Sequence, residues 1–111
     1  MILKIKRIFA MNFKCNKMHA IVFDLDTETL KQIYPNPSWN NAYTDICSEL
    51  ESFGFKRQQG SVYFGNADEV NSVTCVLAVQ SLSRKFAWFK AAVKDIRMLK
   101  IEDNNDLAPA I

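Results

Sequence analysis

The sequence predicts one α+β domain of βαββαβ order between Met18 and about Asp103. Three features predict it: an apolar strand that stops abruptly at acids, a helix whose apolar residues recur over four turns, and a two-residue hairpin turn. At 111 residues the chain has room for one compact core. Its 49% apolar and 23% charged residues are ordinary globular values and argue against disorder or a fibrous repeat.

The first strand is His19-Ala20-Ile21-Val22-Phe23, ending where Asp24-Leu25-Asp26 brings in polar residues. Asp26 can cap a short helical turn from Thr27 to Tyr34, and Pro35-Asn36-Pro37 then breaks the chain. Ser38 reads as the N-cap of the clearest helix, with Trp39, Ala42, Tyr43, Ile46, Cys47, Leu50 and Phe53 on one face and Gly54 closing it. Phe55 to Gln58 and Ser61 to Phe64 flank Gln59-Gly60 as a tight hairpin. Asn66 or Asp68 is expected to cap a second long helix from about Glu69 to Ser83. Val70, Val73, Val76 and Val79 lower its intrinsic propensity, but its length favours helix over strand. Arg84 to Ala92 is an aromatic segment read as an extra short helix before the last strand. That strand, Val93 to Glu102, alternates, with Asp95, Arg97, Leu99 and Ile101 on one side and Lys94, Ile96, Met98 and Lys100 on the other.

This order is the split βαβ arrangement of a ferredoxin-like sandwich, with both helices on one face of the sheet. Strands one and three are expected as the central pair, with strand four at the edge beside strand two. That order favours Asp24 near Ser61 or Tyr63 over Asp24 near Asp95 within one chain. Strand one is apolar on both faces, at Ala20 and Val22 as well as Ile21 and Phe23, so a second copy is expected to cover the open face as a symmetric homodimer.

Charge is uneven along the chain. Residues 1–17 hold Lys4, Lys6, Arg7, Lys14 and Lys17 with no acid, leaving nine bases against twelve acids in the rest. A wide positive field for long nucleic acids is therefore not expected on the domain, and any RNA contact would have to come from a local groove or from the basic extension. The apolar run of the extension is broken at Asn12 and Lys14 without a small-residue cleavage site, so neither a signal peptide nor a membrane span is expected. Met11 and Met18 leave open whether residues 1–17 are a flexible basic arm or lie upstream of the true start. Residues 107–111 read as a tail. Cys15, Cys47 and Cys75 show no CxxC spacing, so a zinc site or a disulfide framework is not expected and a reducing cytoplasm fits.

His19 is the only histidine, which excludes a two-histidine ribonuclease within one chain. Chemistry falls to carboxylates, lysine, serine and tyrosine, and the candidates are Asp24 at a strand exit, Ser61 and Tyr63 after the hairpin turn, and Asp95 and Arg97 on the last strand. The alternative roles are structural: Asp24 as a strand stop or cap, Ser61 as a hairpin residue, Asp95 with Arg97 as an edge ion pair.

The segments Ala20-Ile21-Val22-Phe23-Asp24-Leu25, Asn41-Ala42-Tyr43, Gly54-Phe55, Gln59-Gly60-Ser61-Val62-Tyr63, Trp88-Phe89 and Val93-Lys94-Asp95-Ile96-Arg97 resemble, in this order and spacing, the virulence-associated protein D (VapD) family. The resemblance spans residues 18–106. It implies a ferredoxin-like homodimer related to the small CRISPR-associated nucleases, with endoribonuclease activity, toxin behaviour in bacteria and a small protein antitoxin as partner. It also places catalytic weight on Asp24, Ser61, Asp95 and Lys31, with Tyr43, Tyr63 and Arg97 as substrate contacts. Two mechanisms suit these residues. In one, Asp24 from each subunit holds Mg2+ or Mn2+. In the other, Asp24 or Asp95 takes a proton from a ribose 2′-hydroxyl while Lys31 or Arg97 stabilises the phosphorane. The competing activity reading is weaker: Ala20 to Asp26 imitates the nucleophile segment of haloacid dehalogenase-type phosphatases, but Glu28 stands where Thr or Val is wanted and the chain is too short for that fold. A non-catalytic nucleic-acid-binding or protein-interaction module of the same fold is the remaining alternative.

Overall fold

The computed structural model describes residues 18–111, so the basic extension at residues 1–17 lies outside the described residues. Strand β1 (Met18–Leu25) leads to helix α1 (Thr27–Ile33), helix α2 (Asn41–Ser52), hairpin strands β2 (Phe55–Gln59) and β3 (Val62–Gly65), and helix α3 (Ser72–Lys85). The short helix α4 (Phe89–Ala92) and strand β4 (Val93–Ile101) follow. A 3-10 turn at Ala108–Ala110 ends the chain, its first amide donating to Asp106 Oδ1.

The four strands form one antiparallel sheet in the order β2-β3-β1-β4. Strand β4 is thus at the edge beside β1, which corrects the expectation that it would lie beside β2. Crossover handedness gives the reason. The β1-to-β2 and β3-to-β4 connections each pass through a helix on the same face and must turn right-handed, and β3 runs opposite to β1. The second crossover therefore steps back across β1 instead of outward past β2.

Local chemistry shifts two helix starts. Helix α2 begins at Asn41 because Ser38 and Trp39 spend their carbonyls in a turn, accepting from the amides of Asn41 and Ala42 at 3.0 and 3.1 Å. Helix α3 begins at Ser72, capped by Asn71 and not by Asn66 or Asp68. Asn71 Oδ1 accepts from the Thr74 amide while Thr74 Oγ1 accepts from the Asn71 amide. Asn66 instead closes a turn that drives Val70 into the core, 3% exposed. Gly60 takes φ +46 in the hairpin turn and Gly54 takes φ +97 after α2, both in the left-handed region that favours glycine.

The core lies between the sheet and α2 and α3. Ile21, Phe23, Leu25 and Tyr63 meet Leu30, Ala42, Ile46, Leu50, Cys75, Ala78 and Leu82, with the predicted α2 stripe facing inward. Within it, α2 brings a charge: Glu49, 8% exposed, accepts hydrogen bonds from Ser81 Oγ and from Lys85 Nζ, the latter at 3.1 Å. These donors, Ser81 first, hold its carboxyl below the usual glutamate range. Cys47 and Cys75 are free thiols, and burial pushes the Cys75 thiol up. No helix among the described residues is long and apolar enough to cross a membrane.

Candidate active site at the exit of the first strand

Strand alternation sorts the sheet into two faces. Ile21, Phe23 and Leu25 enter the core, so Ala20, Val22 and Asp24 point to the face that carries no helix. Register then fills that face from the neighbours. Ala20 lies between Phe64 and Leu99, and Val22 lies between Val62 and Arg97. Asp24 lies opposite Asp95. This pairing overturns the sequence expectation that Asp24 and Asp95 would sit apart in one chain, and it follows from β4 lying beside β1.

Two carboxylates directly opposite each other on an antiparallel pair repel. One is compensated: Arg97 Nε reaches Asp95 at 3.2 Å to Oδ1 and 3.0 Å to Oδ2. That contact raises the Arg97 guanidinium above its usual value. The Asp24 side chain is exposed and makes no hydrogen bond or ion pair among the described residues. The capping role falls to its neighbour. Asp26 Oδ1 accepts from the amides of Glu28 at 3.1 Å and Thr29 at 3.4 Å, and the Asp26 amide donates to the Ala92 carbonyl at 2.7 Å. The Thr29 contacts, helped by the Glu28 amide and the charge of Lys94, hold the Asp26 carboxyl below its usual range. Asp24 is therefore not spent on stopping the strand or capping α1.

The remaining candidates separate. Ser61 borders the site through its backbone, its carbonyl accepting from the Phe23 amide at 3.2 Å. Tyr63 points the other way, 2% exposed, stacked on Phe23 with ring centroids 6.0 Å apart. Burial first, and then Cys47, raise its phenol well above the usual range. The expectation of Tyr63 as a substrate contact is thus corrected, because the alternation that brings Asp24 and Val62 to one face sends Tyr63 to the other. Tyr43 is half-buried against the core at the start of α2. Lys31 rides on α1, 3.4 Å from Glu28 Oε1 and with Nζ 5.3 Å from the centre of the Trp39 ring; no hydrogen bond or ion pair joins it to Asp24, Ser61 or Asp95.

Among the described residues no group of three or more His, Cys, Asp or Glu is placed to hold a metal ion. Asp24 and Asp95 alone make a pair of hard oxygen donors, which suits a magnesium-type ion that keeps water and phosphate as its other ligands. A feature the sequence did not reveal adjoins them. The ladder slips between Asp24 and Leu25, where Leu25 pairs with Val93, leaving Lys94 as an extra residue in β4.

Comparison with known proteins agrees with this architecture. The family described as CRISPR associated protein Cas2 matches residues 17–107. The chain is 51% identical over 94 residues to Endoribonuclease VapD 2 of Riemerella anatipestifer, covering 85% of this chain and 99% of that one. The chain belongs to the VapD family. An Endoribonuclease VapD homolog of Helicobacter pylori is 53% identical over 85% of this chain and 96% of its own. Endoribonuclease VapD of Dichelobacter nodosus is 44% identical over 85% and 97%. The Cas2 family match spans the strands that carry Asp24 and Asp95.

Proposed function

We propose that this VapD-family chain is an endoribonuclease whose catalytic carboxylate is Asp24, acting as the toxin of a bacterial toxin-antitoxin pair. The observation that carries the reading is the face-to-face pairing of Asp24 with Asp95 beside Arg97. A fold gains nothing from setting two acids opposite each other, and such local conflict is expected at functional sites. The names of the relatives supply the substrate class.

Two routes use the same acid. In the first, Asp24 takes the proton from a ribose 2′-hydroxyl as that oxygen attacks phosphorus and the bond from phosphorus to the 5′-oxygen breaks, the departing oxygen taking a proton from water, with Arg97 facing the phosphate charge and Asp95 orienting Arg97. In the second, Asp24 and Asp95, or Asp24 of two copies, would hold Mg2+ or Mn2+, which would supply charge neutralisation and an acidified water. The routes leave different ends: a 2′,3′-cyclic phosphate from the first, a hydrolysed phosphate and free hydroxyl from the second. Incubating purified protein with structured RNA, with magnesium or with chelator, and identifying the product ends separates them. Absence of cleavage in every condition overturns the nuclease reading and leaves a binding module.

A cytoplasmic homodimer closed over the open face is part of the same proposal. Val22, Val62 and Phe64 are half-buried there and Leu99 is 46% exposed, an apolar surface that a second copy would cover. Sedimentation as a monomer at micromolar concentration would contradict it. The toxin role is tested by growth arrest on expression, relieved by co-expression of a small protein encoded beside the gene.

A further inference from the structure

Between the pairs Asp24 with Asp95 and Leu25 with Val93, strand β4 carries one residue more than β1, and that residue is Lys94. Val93 packs against the core, as Leu25 does, while Asp95 shares the open face with Asp24. Residues two apart in a regular strand would share a face, so the bulge is what permits this arrangement and frees Lys94 from the ladder. Lys94 is exposed and makes no hydrogen bond or ion pair among the described residues. The register sets Lys94 at the exit of β1, and its charge adds weakly to the lowering of the Asp26 carboxyl, two positions past Asp24.

Four other cations of the domain are committed. Arg97 is bound to Asp95, Lys31 to Glu28, Lys85 to Glu49, and Arg57 Nε to the Gly60 carbonyl at 2.9 Å. Two facing carboxylates with one paired guanidinium leave the exit of β1 negative, which opposes the approach of a phosphodiester. An uncommitted ammonium lifted out of the strand beside those acids offsets that opposition. We propose that Lys94 is a substrate-binding residue of this site, its ammonium contacting an RNA phosphate that lies across the Asp24 and Asp95 pair. The inference rests on the endoribonuclease reading.

The test is fluorescence anisotropy of a short single-stranded RNA against the uncleaving Asp24→Asn protein at several salt concentrations, with Lys94→Gln and Lys94→Arg added in turn. Lys94→Gln is expected to weaken binding about tenfold, the size of one charge-assisted contact. It should also lower the slope of log affinity against log salt by about 0.7, the release expected for one phosphate contact on a single strand. Lys94→Arg should restore both, and the melting temperature should hold through the series. Unchanged affinity and slope in Lys94→Gln overturns the proposal, as does weakened binding with an unchanged slope. If the Asp24→Asn parent itself binds no RNA, the proposal falls together with the nuclease reading.

Discussion

Replacing Asp24 with Asn should abolish cleavage and make the protein more stable. The side chain keeps its size and polarity and loses only its charge, which faces Asp95 directly across the ladder. Like charges so placed cost between about 0.2 and 1 kcal/mol. Asp95 is 52% exposed and shares its charge with Arg97, so the relief belongs toward the low end, about 0.4 kcal/mol. For a domain of this size that is a rise in melting temperature of about 2 to 3 °C. Differential scanning fluorimetry at low salt reads the gain, which should disappear near 1 M salt, where the screening length is about 3 Å. Loss of a general base should lower cleavage by about 100-fold to 10,000-fold in the same preparation. A variant that melts lower than wild type would show that Asp24 does structural work, and one that still cleaves RNA would remove it as the catalytic carboxylate.

Other substitutions probe the scaffold around the site. Glu49→Gln should cost about 1 to 2 kcal/mol in urea denaturation, since the buried carboxylate joins α2 to Ser81 and Lys85 of α3. Because folding lowers the Glu49 pKa, its contribution is complete above the ordinary value of 4.5 and is lost as pH falls through the lower folded value. The gap between wild type and variant should therefore be constant near neutrality and narrow in acid. Gly65→Ala should destabilise by about 1 to 3 kcal/mol, as the added methyl group would overlap the Val70 side chain; unchanged melting would mean that β3 and the following turn can separate freely. Tyr63→Phe should leave RNA cleavage within about twofold of wild type, because its hydroxyl lies in the core beside Cys47; a loss of rate with unchanged melting would return Tyr63 to the site.

Sequence pattern revealed what repetition encodes. The α2 stripe from Ala42 to Phe53 and the hairpin at Gly60 appear as a period and a turn residue and lie where expected, while the first strand runs through Asp24 to Leu25 instead of stopping at the first acid. The starts of α2 and α3 were less legible. Ser38, Asn66 and Asp68 are all chemically able to cap, and only the competing turns around Ser38 and Asn66 decide which amides they receive. The neighbour of β4 depends on crossover handedness and carries no local signature, so the Asp24 and Asp95 pairing was hidden although both acids were named. Glu49 looked like one more polar residue on α2, and its partners on α3 lie more than thirty positions along the chain. The bulge at Lys94 leaves no mark in an alternating strand whose pattern continues on both sides of it.

The place of β4 also bears on when the proposed site is assembled during synthesis. Asp24 emerges from the ribosome early, whereas Asp95 and Arg97 come from the last strand of the sheet and reach Asp24 only after that strand docks against β1. A partly synthesised chain holds the first acid without its partner. On the reading given above, a truncated product is harmless and RNA cleavage begins only with the finished polypeptide, leaving a neutralising protein the interval of synthesis in which to be ready.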